Sequence, residues 1–224
     1  MFRCKTKTWI ICGCLPILLI LLLSSCTNGS ETSPTATISP FKQVVFQDGF
    51  DSQDGNWETF NKDYGSAFYQ DGKLHIKNYT GLKYQSPSRT DRQFSDFALE
   101  VEMERVSGSS ESWQSVYCRY SDENNYYIFR IGDNGKYWIL KFVKGTMLTL
   151  RAATPSSHIN TSLGVTNNVR VECIGDSLAL YVNTFRVAQV SDGTFATGIV
   201  GFGVQSEGSE YTEVAFDNVV IWTP

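Results

Sequence analysis

Glu100-Val101-Glu102-Met103-Glu104 sets three carboxylates at alternate positions. In an extended strand this spacing turns all three to one face, and retaining cleavage of a glycosidic bond needs two carboxyls about 5 Å apart. A solvated strand face gives the same alternation, so Glu100, Glu102 and Glu104 fit either role. A second group is Arg119, Tyr126 and Arg130, expected on the polar side of one hairpin, with Trp113, Tyr137 and Trp138 close by in sequence. Rings stack on pyranose faces and guanidinium groups pair with hydroxyls, which is the chemistry of a sugar-binding surface. The alternative puts Trp138 and one tyrosine of each pair in the core. A third group, Asp48, Asp51 and Asp217 with Asn218, offers the oxygen ligands that calcium takes; Asp also caps turns and strand ends. No other cofactor is expected. His75 and His158 are the only histidines, and no H-E-x-x-H, G-x-S-x-G, C-x-x-C or phosphate-loop motif accompanies them, which argues against a zinc or triad enzyme.

These residues need strands to hold them. Phe97, Leu99, Val101 and Met103 alternate with the three glutamates, and Tyr127, Phe129 and Ile131 alternate with Ile128 and Arg130. Lys73–Lys77, Val169–Cys173 and Leu178–Val182 continue the pattern. Each is a half-buried antiparallel strand, with one face on the core and one in water. Asp71-Gly72, Asn134-Gly135, Lys144-Gly145, Gly175-Asp176 and Asp192-Gly193 mark turns between them. About a dozen strands and no second linker make one all-β domain from residue 41 to 224.

The N-terminus has a separate grammar. Arg3, Lys5 and Lys7 precede an apolar run from Trp9 to Leu23, short for a membrane span and suited to a signal peptide. Leu23-Ser24-Ser25-Cys26 resembles a bacterial lipobox. The resemblance implies a signal peptide over residues 1–25, diacylglyceryl attachment to the Cys26 sulfur, cleavage before it and acylation of the new amino group. An uncleaved anchor is the alternative, and either places the domain outside the cytoplasm on a bacterial membrane. Residues 27–40, TNGSETSPTATISP, cannot bury enough apolar surface to fold and form a spacer. Removing residues 1–25 leaves 16 basic against 23 acidic residues. Such a chain lacks the clustered cations that nucleic acid requires. Cys118 and Cys173 then remain as an even pair in an oxidising compartment, and a disulfide between them is expected.

The order of motifs resembles the concanavalin A-like lectin/glucanase superfamily, nearest its laminin G-like and 3-keto-disaccharide hydrolase branch. Phe46-Gln47-Asp48-Gly49-Phe50 with Trp57 resembles the first strand. Phe94 to Val101, Tyr117 to Phe129, Asn168 to Asn183, Gly198 to Gly203 and Phe216 to Val219 follow in the family's order. The resemblance implies an antiparallel jelly-roll β-sandwich whose first and last strands pair, which would draw Asp48, Asp51 and Asp217 together. It also implies, for glucanases, a nucleophile, helper acid and acid/base at the spacing of Glu100, Glu102 and Glu104. Here the central residue is Glu rather than Asp, and the flanking aromatics of that motif are missing. The function expected is therefore a non-catalytic, lipid-anchored module that binds glycan or another envelope ligand. A glycoside hydrolase of glucanase or 3-keto-disaccharide type is the first alternative, and a structural or protein-interaction lipoprotein the second.

Overall fold

The computed structural model describes residues 43–79, 88–207 and 211–224. The lipobox, Cys26 and the spacer lie outside the described residues. Among those described there are fifteen strands: β1 (Gln43–Asp48), β2 (Phe60–Lys62), β3 (Gly65–Gln70), β4 (Lys73–Asn78), β5 (Ser88–Phe94), β6 (Phe97–Gly108), β7 (Ser112–Asp122), β8 (Asn125–Gly132), β9 (Lys136–Val143), β10 (Thr146–Pro155), β11 (Thr166–Ile174), β12 (Ser177–Val182), β13 (Phe185–Ser191), β14 (Gly198–Ser206) and β15 (Thr212–Thr223). The larger sheet runs β13-β12-β11-β6-β15-β4-β3-β2, and the smaller runs β10-β9-β8-β7-β14-β5. The strand pairings among the described residues are antiparallel, so the all-β sandwich expected from alternation is the fold observed. β15 is long enough to serve two partners: its first half pairs with β4 and its second with β1, divided by an irregularity between Asp217 and Val220.

The residues that alternate in sequence divide as the pattern requires. Leu99, Val101 and Met103 of the larger sheet meet Val116, Phe129 and Phe202 of the smaller in one buried cluster. Trp57 stacks on Phe202 at 4.7 Å and Phe202 on Phe216 at 4.9 Å, a ring column that links the layers. Two of the turn signals, Asp71-Gly72 and Lys144-Gly145, form two-residue hairpin loops with positive φ at both positions. Asn183-Thr184 closes a third loop of this kind (φ 50° and 75°) without the glycine that marks such turns in sequence.

Cys118 on β7 and Cys173 on β11 are bonded, pinning the smaller sheet to the larger through the core. Their Cα atoms stand 7.5 Å apart, wider than the usual range. Beside it, Arg119 breaks the alternation of β7. Its φ is +48° and the β7–β8 register is irregular beyond Cys118. The bulge turns the guanidinium away from the outer face and into the end of the sandwich. There it donates to the carbonyls of Ser95, Gly175 and Phe195 at 2.8–3.2 Å and to Asp96 at 3.2 Å. The segment after β13 is tied down as well. Asp192 accepts from Tyr127 Oη at 2.7 Å and from Lys141 Nζ at 2.6 Å, and the Phe195 amide donates to Tyr127. Burial and the bond to Asp192 push the Tyr127 phenol up to about 12. Burial alone would raise Asp192, but Lys141, Thr194 and Tyr127 outweigh it and hold the carboxylate well below its usual range.

Candidate functional site

The two outer faces of the sandwich differ in kind. The larger sheet shows the polar face an antiparallel sheet normally turns to water. On it Glu100 accepts from Asn168 at 3.0 Å, Glu102 from Asn218 at 3.1 Å and Glu104 from Lys73 at 3.0 Å. The three carboxylates share a face, as their spacing predicts, and each is matched to a separate neighbour: Asn168 and Asn218 on the strands flanking β6, and Lys73 on β4, one strand beyond β15. His75 pairs with Glu213 at 2.8 Å on the same side, under the ring of Phe68.

On the side of the smaller sheet away from the core lies a second apolar cluster of Tyr117, Tyr120, Tyr126, Ile128 and Leu140, all buried against one another and their neighbours, with Trp138, Phe142 and Ile199 partly exposed at its margin. It sits on the side of β7, β8, β9 and β14 opposite the core. Tyr126 stacks between Tyr120 (5.1 Å) and Phe142 (4.8 Å), so three adjacent strands carry one row of near-parallel rings. Arg89 of β5 lies 4.9 Å from the Tyr120 ring centroid and pairs with Glu58. Trp113 and Trp138 meet at 5.7 Å at the other end of the face, and Arg130 lies 5.7 Å from the Trp138 ring. Two glycines make this possible. A side chain at Gly203 would meet the Tyr117 ring at 2.8 Å, and one at Gly132 would meet Trp113 at 3.1 Å. Both rings therefore lie down across the strand where a neighbour has no side chain. No carboxylate occurs on β8, β9 or β14, and the one on β7, Asp122, is at its end in the turn.

The structure thus brings together Tyr126, Arg130, Trp113 and Trp138 of the expected sugar-binding group and separates two others. Arg119, expected on this face, is 1% exposed and its donors are bound to carbonyls at the sandwich end, so it is corrected to a structural residue. Tyr137 points into the core. Tyr117, Tyr120 and Phe142 belong to the face and were not singled out in the sequence. Simple alternation puts Tyr120 on the same side as Cys118; the bulge at Arg119 reverses it.

The residues of the calcium grouping have local partners of their own. β1 and β15 do pair, with Asp48 opposite Val219. Yet Asp48 receives the Phe50 amide on one oxygen and the Trp57 indole on the other, both within 3 Å, which is strand-end capping. Asp217 receives the Asn218 amide. No three His, Cys, Asp or Glu residues among those described are placed to hold a metal ion. An open cleft of about 790 Å³ lies here, lined by residues that include Asp48, Asp51, Arg92 and Asn218. We favour the aromatic face over this cleft: the cleft's inner acid is spent on its own loop, and Asp51, Asp54 and Arg92 on its rim are exposed and solvated.

Residues 43–222 match the family of the 3-keto-alpha-glucoside-1,2-lyase-like domain. No curated protein matches the chain. Among solved structures, the carbohydrate-binding module CBM66 from Bacillus subtilis is 18% identical, with a TM-score of 0.51, covering 79% of this chain and 97% of that one. The Bacillus licheniformis beta-glucanase is 13% identical, with a TM-score of 0.56 and coverage of 82% and 99%. LamAcat from Zobellia galactanivorans is 13% identical, with a TM-score of 0.58 and coverage of 82% and 98%. At these identities the likeness is one of fold, and the fold is the jelly-roll sandwich expected from the sequence.

Proposed function

The chain belongs to the 3-keto-alpha-glucoside-1,2-lyase-like domain family, and we propose that it is a lipid-anchored, extracytoplasmic module that binds glycan without cleaving it. The observation that carries the reading is the aromatic cluster on the outer face of the smaller sheet. An outward sheet face should be polar; this one is a tightly packed tyrosine cluster at whose margin the rings of Trp138 and Phe142 stay partly exposed, and those are the rings offered to a ligand. Rings give apolar faces to sugar C–H groups, and guanidinium and indole N–H groups bind hydroxyls.

The test is a glycan array with the full-length protein, followed by titration of the best ligand. Phe142→Ala should weaken binding about tenfold or more by removing the outer ring of the stack, while Glu102→Gln should leave it unchanged. A blank array, or full affinity in Phe142→Ala, overturns the proposal. The family name and the glucanase-like fold favour a second reading, cleavage of a glucoside. Turnover of a glucan or 3-keto-glucoside that disappears in Glu100→Gln would establish it in place of the first.

The anchor rests on the residue pattern around Cys26. Cys26→Ala should leave the precursor unprocessed and free of acyl chains, because the thiol is the point of attachment and stable anchoring needs two or more chains. Membrane fractionation and intact mass read this directly. Normal processing and retention of the variant would reject the lipoprotein assignment.

A further inference from the structure

One end of the aromatic face has unused hydrogen-bonding capacity. Trp113, 4% exposed, lies over Gly132 with its indole N–H enclosed and without an acceptor. The indole N–H of Trp138 is enclosed and unpartnered too. Arg130 stands opposite Trp138 in the β8–β9 register and Ser115 opposite Arg130 in the β7–β8 register. Gln205, opposite Trp113, turns in a buried Oε1 that has no donor. A folded protein rarely leaves several neighbouring polar atoms enclosed and unmatched, and where it does the missing partner is a water, an ion or a ligand group.

The chemistry of the set selects the partner. Two indole N–H groups are donors only, and a guanidinium is a donor only and permanently charged. With one orphaned acceptor, Gln205 Oε1, and no carboxylate on β8, β9 or β14, the end is rich in donors. A pyranose hydroxyl both donates and accepts, whereas a carboxylate only accepts and adds charge attraction, strongest away from water. We infer that the Trp113–Trp138–Arg130 end is a subsite for the carboxylate of an acidic sugar, a uronic acid within a glycan chain. The inference rests on the glycan-binding reading above and narrows its ligand class. Trp138, half-buried, is the accessible lip of the subsite.

Calorimetric titration of the full-length protein with a galacturonic acid trimer and with a neutral glucan trimer tests it. The acidic trimer should bind about tenfold tighter, the usual effect of hydrogen bonds to a charged group. Trp113→Phe and Trp138→Phe keep a ring and lose the N–H; each should erase most of that preference and leave neutral binding within about twofold. Equal affinity for the two trimers, or a preference that survives both substitutions, overturns the subsite while leaving the glycan-binding face intact. Binding of neither trimer also overturns it, and the array then decides the broader reading. Should Trp113→Phe fail to fold, the half-buried Trp138 variant decides alone.

Discussion

Opening the Cys118–Cys173 bridge is expected to lower the melting temperature by about 8–16 °C. The bridge joins residues 55 apart. In the chain-entropy account, releasing a loop of that length costs about 4 kcal/mol, and a domain of this size shifts by about 2–4 °C per kcal/mol. Both sulfurs are fully buried, so reductant will reach them only during opening, and the thiol form is best made by Cys118→Ala with Cys173→Ala. The double substitution also leaves a small cavity, which adds to the loss. Intact mass should show the native protein about 2 Da lighter than its reduced form. An unchanged melting temperature, or two free thiols in the native protein, would remove the bridge from the account.

Arg119→Ala is expected to cost about 3–5 kcal/mol, the range for breaking a buried charge network by removing one partner. Asp96, which also accepts from the Gly175 amide at 2.8 Å, is partly exposed, so the charge pair itself contributes modestly. The larger part comes from the Ser95, Gly175 and Phe195 carbonyls, which lose their donor at the closed end of the sandwich. Arg119→Lys should recover little, because one ammonium cannot reach acceptors arranged around a planar fork. Urea denaturation read by tryptophan fluorescence measures both. Glycan affinity should not change in a folded Arg119→Lys, since the side chain lies off the aromatic face; a selective loss of binding would return Arg119 to the site.

Alternation alone located most of what matters in this fold. It separated Leu99, Val101 and Met103 from the glutamates and put Tyr127, Phe129 and Ile131 inside, because period-two spacing has one solution when a sheet buries one face. Tyr126 and Arg130 followed as outward residues. Alternation could not reveal a residue that breaks it. Nothing in Tyr117-Cys118-Arg119-Tyr120 announces that Arg119 takes a positive φ, and that one angle both withdrew Arg119 from the face and delivered Tyr120 to it. The amides bound by Asp48 and Asp217 were illegible for a related reason: composition gives the carboxylates but not the local donors that reach them. Sequence also does not show which of the two sheets turns its rings outward, since that depends on the glycines across the strand.

β10 forms one edge of the smaller sheet and is exposed along most of its ten residues, Met147 and Leu148 included. A straight edge of that length would offer the next molecule a ready template, and sheets would grow from copy to copy into fibrous aggregates. Here the pairing with β9 slips twice, between Thr149 and Arg151 and again between Arg151 and Thr154. Each slip alters the spacing of the outward amides and carbonyls, and Arg151 adds a charge between them. Only the short stretch from Thr146 to Thr149 keeps an unbroken register, too little to hold a second strand. Two copies meeting edge to edge at β10 therefore cannot agree on a common spacing.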